Sequence, residues 1–142
     1  MTGVLMALLL AQADPVGALE QVKNEPDLVK RSEKALALAD STCARARAIV
    51  RESGSRTELL LALEVVAEAA ELSLKSLRDT GRKASKLAKQ YKRGELRTRD
   101  MVRQMGDIAM ALSLDDRPAA EKLRARVSMV HEDFLLGVMS GK

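Results

Sequence analysis

Four sets of residues in this 142-residue chain are of types that carry chemistry. Glu64, Glu68 and Glu71 recur at four- and three-residue spacing, which on a helix places three carboxylates on one face. Such a line could ligate two metal ions in a helical bundle. That chemistry also needs Glu-x-x-His on facing helices. The sole histidine is His131, and Ser128 stands three residues before it, so the metal motif is missing. The simpler reading is a solvated acidic face, with Glu71 paired to Lys75 one turn on.

His131 could hold a haem with one of seven methionines opposite, Met101, Met105 and Met110 being candidates. No Cys-x-x-Cys-His occurs, so covalent haem attachment is excluded. His131 follows the core position Val130 and reads as a histidine bordering packed residues. Cys43 is the one cysteine. A lone thiol forms no intrachain disulfide and no multi-cysteine zinc site. Ala44 and Ala46 beside it are ordinary helix, with no sign of an activated nucleophile. No glycine-rich phosphate loop appears. The sequence therefore calls for no catalytic residue, metal or cofactor, and the expected class is not an enzyme.

The fourth set is cationic. From Arg78 to Arg103 stand ten basic residues and three acids, a net +7 on a chain of +4. Its centre, RKASKLAKQYKR at residues 82–93, holds six cations and no acid. Such a concentration sets the local field and suits an anionic partner. The candidate contact residues are Arg82, Lys83, Lys86, Lys89, Lys92, Arg93, Arg97 and Arg99. Nucleic-acid readers add polar groove readers or stacking aromatics. Here Tyr91 is alone and falls on an apolar line. The competing reading is a solvated face that also pairs with the glutamates of the helix before it.

The elements that must carry these residues are helices. Ala, Leu, Lys, Arg and Glu dominate, Trp is absent, and Tyr91 and Phe134 are the only aromatics. Length fits one domain. A line of Leu87, Tyr91, Gly94, Thr98, Met101, Met105, Ile108 and Leu112 alternates four- and three-residue steps, the stripe of a packed helix. This third helix is expected to be the one the others pack around, with Gly94 allowing close approach to a neighbouring backbone. Its start lies anywhere from residue 84 to 91, and its end near 113.

Helix one is expected over residues 26–53, started by Asn24 and Pro26 and stopped by a left-handed Gly54. Its inward line runs Leu28, Ser32, Ala35, Ala39, Cys43, Ala46 and Ile49 or Val50. Helix two is expected over 57–80, with Ser55 and Glu58 as a capping box and Gly81 as its end. It is apolar over much of its circumference and should meet two or three neighbours. Helix four is expected over 117–138, capped by Asp115 or Asp116, with Ala120, Leu123, Val127, Val130, Phe134 and Val138 inward. Short links between such helices imply an all-α, single-domain, up-down-up-down antiparallel four-helix bundle with a short N-terminal segment. A stack of two helical hairpins is the alternative.

Residues 4–13 read VLMALLLAQA, an apolar run ending in Ala-Gln-Ala before Asp14. That pattern fits a secretory signal cut after Ala13, although residues 1–3 lack the usual cation. The run is too short for a membrane-spanning helix, which needs roughly 20 residues. The other reading is an apolar segment docked on the bundle. The expected division is thus residues 1–13 as a signal peptide or docked apolar segment and 14–142 as the domain.

Two further sets look familiar together: EPDLVKRSEKALALAD at 25–40, and ELSLKSLRDTGRK, YKRGELRTRDMVRQM and VHEDFLLGVMSGK at 71–83, 91–105 and 130–142. They resemble a family of short, predicted exported helical proteins of Acidobacteria that has no assigned activity. The resemblance implies export and a single helical domain, and it transfers no functional residue. The expectation is a periplasmic or secreted binding or scaffolding protein of the cell envelope, whose basic helical face meets a protein or another anionic partner. Export would discard nucleic acid. If instead residues 4–13 belong to the fold, the chain reads as a cytoplasmic nucleic-acid or protein adaptor. A ligand- or haem-holding bundle is the third reading. The sequence also leaves room for a homo-oligomer.

Overall fold

A computed structural model describes residues 14–140. The candidate export segment, residues 1–13, lies outside the described residues. Five α-helices follow one another: α1 Pro15–Lys23, α2 Leu28–Arg51, α3 Arg56–Asp79, α4 Ala88–Ala111 and α5 Arg117–Ser140. A 3₁₀ turn, Ala84–Leu87, leads into α4. The described chain is all-α, as composition implied, and no described helix is long and apolar enough to cross a membrane.

Local chemistry sets the helix ends. Asp14 caps α1, its carboxylate accepting from the Gly17 N–H at 3.0 Å. Asn24 closes α1 through its own N–H to Gln21, so it cannot start the next helix. Asp27 starts α2 instead, accepting from Lys30 N–H at 3.0 Å, and Pro26 stays in the link. At the far end of α2 the left-handed residue is Ser53, with φ 53°, rather than Gly54. Gly54 donates its N–H back to Ile49 at 2.8 Å. Its missing side chain matters because a Cβ there would stand 2.9 Å from Ile49 Cγ2. Ser55 caps α3 through Glu58 N–H at 3.3 Å. The capping box is only half made, because the Glu58 carboxylate pairs with Arg45 across the hairpin at 2.6 Å. Gly81, at φ 72°, ends α3 as expected.

The helices form two hairpins, α2–α3 and α4–α5, laid on one another. α2 packs against α4 and α3 against α5. Glu71 meets Arg126 and Arg78 meets Asp133, so α3 and α5 advance together and run parallel. Asp40 meets Arg97 and Cys43 meets Gln104, so α2 and α4 are parallel too. Neighbours are antiparallel within a hairpin and parallel between hairpins. α3 and α4, consecutive in the chain, lie diagonally and scarcely touch. That neighbour order is the stacked-hairpin alternative, not a ring of antiparallel neighbours. The cause lies in α3. Its apolar belt is wide enough to serve α2, α5 and α1 at once, with twelve buried residues against eight in α4. α3, not α4, is the helix the others pack around.

Along the 3₁₀ turn and α4 the expected line holds from Leu87 through Tyr91, Gly94, Thr98, Met101 and Met105 to Ile108, all buried, while Leu112 falls just past the helix and is partly buried. Gly94 does admit a close neighbour, but it is the ring of Phe134 rather than backbone. A Cβ on Gly94 would stand 2.4 Å from Phe134 Cε1. The contact is reciprocal, because a Cβ on Gly137 of α5 would stand 2.2 Å from Tyr91 Cδ1. The two rings meet edge to face, 5.7 Å apart at 78°.

Gly94→Ala and Gly137→Ala should therefore each destabilise the fold, by about 1–3 kcal/mol from overpacking, although Ala is the better helix former. Gly106→Ala is the control. Its Cβ would meet the movable guanidinium of Arg124 at 2.8 Å. Its loss should be smaller, and urea unfolding of the three variants reads the order.

Candidate functional site

The basic tract is built from the link between α3 and α4. Thr80 Oγ1 donates to Leu77 O at 2.6 Å and accepts from the Arg82 N–H at 3.1 Å, which turns the chain out of α3. The 3₁₀ turn then brings Leu87 and, one turn later, Tyr91 into the core. With those two anchored, Lys86, Lys89, Lys92 and Arg93 are forced to the solvent side. Arg82 and Lys83 are exposed in the link.

The eight candidate residues fall into two groups. Arg97 donates to Asp40 of α2 at 2.9 Å, and Arg99 pairs with Glu95 one turn back. Both are engaged in holding the fold. Arg82, Lys83, Lys86, Lys89, Lys92 and Arg93 make no ion pair among the described residues. Lys89 and Arg93 edge a shallow groove against Ser32, Glu33 and Leu36 of α2. The start of α4 has no side-chain cap and no acid in its first turn. Cations there oppose the helix dipole, whose positive end they share.

The expected pairing of this tract with the glutamates of α3 does not form, because α3 and α4 are diagonal. Those glutamates turn to α5. Glu71 takes both Nε and Nη2 of Arg126, at 3.1 and 2.5 Å, and Lys75 pairs with Asp79 instead of Glu71. The Glu71 hydrogen bond raises the Arg126 pKa above its ordinary value, with Glu68 and Glu64 adding to it. Among the described residues no group of three or more His, Cys, Asp or Glu side chains is placed to hold a metal ion.

His131 lies between α4 and α5, its Nε2 3.4 Å from Glu95 Oε2. Both atoms are buried, and neither has a hydrogen-bond partner. That Nε2 faces a carboxylate, Met101 and Met105 are fully buried, and Met110 is 68% exposed. Glu95 is the residue that sequence reasoning passed over as one acid in a basic run. Its place directly after the core position Gly94 was the available signal.

Cys43 is 1% exposed, as its place on the inward line of α2 implied. Burial, with Asp40 and Asp100 adding to it, pushes its thiol from 9.0 up to about 11. Its Sγ lies 3.6 Å from Gln104 Oε1. The group is a packed thiol, poor as a nucleophile.

At pH 8 the folded protein should react with a thiol reagent at least about 100-fold more slowly than the unfolded chain, since far less thiolate is present. The sign of the linkage follows. The unfolded thiol ionises near 9.0 and the folded one near 11, so stability is whole below pH 9 and falls as pH rises to 11. The loss is about 3 kcal/mol, and Cys43→Ala should lack that component in unfolding measured across this range.

The chain matches no family model, no curated protein and no solved structure.

Proposed function

We propose that the protein is a non-enzymatic binding or scaffolding protein of the cell envelope, periplasmic or secreted, that holds an anionic surface against the start of α4. The observation that carries this reading is the set of six exposed cations, Arg82 to Arg93, that no carboxylate of the described residues answers. Elsewhere on the described surface most arginines are paired. Gathering cations at the positive end of a helix costs about 0.3–1 kcal/mol, a local conflict of the kind that marks functional sites. Desolvating that many cations is favourable only against an anion.

Export is supported by the Ala-Gln-Ala sequence before Asp14. Asp14, the residue that would follow the candidate cut, caps α1. A lone thiol buried in the core suits an oxidising compartment. The nucleic-acid alternative has less behind it. Tyr91 is 7% exposed and edge-on to Phe134, so it offers no face on which a base could stack.

Cosedimentation with vesicles of phosphatidylglycerol and phosphatidylcholine tests the site. Binding is expected to phosphatidylglycerol vesicles, to be absent from phosphatidylcholine alone, and to fall steeply with salt. Lys89→Gln, Lys92→Gln and Arg93→Gln together should weaken it on the order of 100-fold, at about 1 kcal/mol per cation. No binding to the anionic vesicles, binding that salt leaves unchanged, or full binding by the triple variant overturns the proposal. For localisation, the intact mass in the envelope fraction of the native host should begin at Asp14. A cytosolic mass that retains residues 1–13 would overturn export.

A further inference from the structure

α5 carries two apolar seams. One faces inward and fills the core through Ala120, Val127, Val130 and Phe134. The other faces outward. Lys122, Ala125, Met129, Glu132, Leu136 and Met139 follow at alternating spacings of three and four, the geometry of a helix-pairing stripe. Met129, Leu136 and Met139 are 67, 63 and 60% exposed. Single exposed apolar residues are ordinary, but three on one stripe of one helix form a patch. No described helix covers it. The broad belt of α3, by contrast, is mostly buried, with Leu61 as its exposed large apolar side chain.

The geometry points to a second copy of this chain as the occupant, its α5 lying antiparallel on this one. Lys122 and Glu132 are both exposed, and neither makes an ion pair among the described residues. A two-fold axis level with Val127 sets each Lys122 against Glu132 of the other copy, twice over. The same axis places the small Ala125 against Met129, and Pro118 against Leu136. A parallel pairing would set Lys122 on Lys122 and Glu132 on Glu132, and like charges oppose it. Charge and apolar surface are thus self-complementary in one orientation only, as a two-fold interface requires. The surface lies on α5, away from the cationic start of α4, so it can be tested independently of the vesicle binding.

Sedimentation of the full chain across concentration tests this. At ~100 µM a species of about twice the 15.5 kDa protomer mass is expected, as for a modest interface. Lys122→Glu should weaken it at least 10-fold, and Lys122→Glu with Glu132→Lys should restore it. Leu136→Glu should give protomers with helix content unchanged, and with the native unfolding midpoint at dilutions where the native chain is also a protomer. A protomer at every concentration overturns the inference. So does a dimer that Leu136→Glu leaves intact, or a charge exchange that fails to restore the dimer.

Discussion

The reciprocal insertion of two rings over two glycines is the constraint on which the rest of the molecule depends. Tyr91 of α4 lies over Gly137, and Phe134 of α5 lies over Gly94. Each ring occupies the space that a single methyl group would take. The register of the α4–α5 hairpin is therefore fixed to the residue, since sliding either helix would drive a ring into a side chain. The rotation of α4 is set by the same contact. With Tyr91 inward, Lys89, Lys92 and Arg93 have no choice but to face outward. The rotation of α5 is set as well, and its second stripe is left to solvent.

The stacking of hairpins then sorts the charges. Parallel contact between α3 and α5 brings Arg126 to the acidic line of Glu64, Glu68 and Glu71. Parallel contact between α2 and α4 brings Asp40 to Arg97. The diagonal separation of α3 from α4 keeps the remaining acids of α3 away from the cations at the start of α4. A ring of antiparallel neighbours would have placed these two helices side by side and allowed mutual neutralisation. The cationic surface is thus a product of topology as much as of composition.

The interior is built with little aromatic bulk. Ala35, Ala39 and Ala46 of α2 and Ala62, Ala69 and Ala70 of α3 are each 2% exposed or less. Small residues let the two helices approach closely; between them the Ser73 hydroxyl donates to the Ser32 carbonyl at 2.9 Å and accepts from the Ser32 hydroxyl at 3.0 Å. Polar groups inside this core are partnered, with the Glu95–His131 contact and the Ser76 hydroxyl as exceptions. Glu95 is held partly by Arg99, so one of the ten cations in the basic stretch serves as counter-charge to a buried acid.

The four long helices and their faces were legible in the chain alone, whereas the nine-residue α1, read only as a short N-terminal segment, makes a fifth. Periodicity marks the buried line of α4 from Leu87 to Ile108, and Ser55 and Gly81 bound α3, because these signals act within one or two turns. The same local reasoning found Cys43 inside and the cations outside. What it missed depends on contacts between distant residues. Asn24 looks like a helix start until α1 claims it as an end. Glu58 looks like half of a capping box until Arg45 comes within reach. Glu71 looks like the partner of Lys75 until Arg126 offers a two-bond fit. The pairing of hairpins, the central place of α3, the burial of Glu95 and the outward seam of α5 belong to this second class. Local propensity and periodicity determine which face of a helix is apolar. Only packing determines which neighbour that face meets, because every apolar stripe here is chemically suited to several others; the wide belt of α3 sets the stacking of the hairpins, and shape at Gly94 and Gly137 sets the fit of α4 on α5.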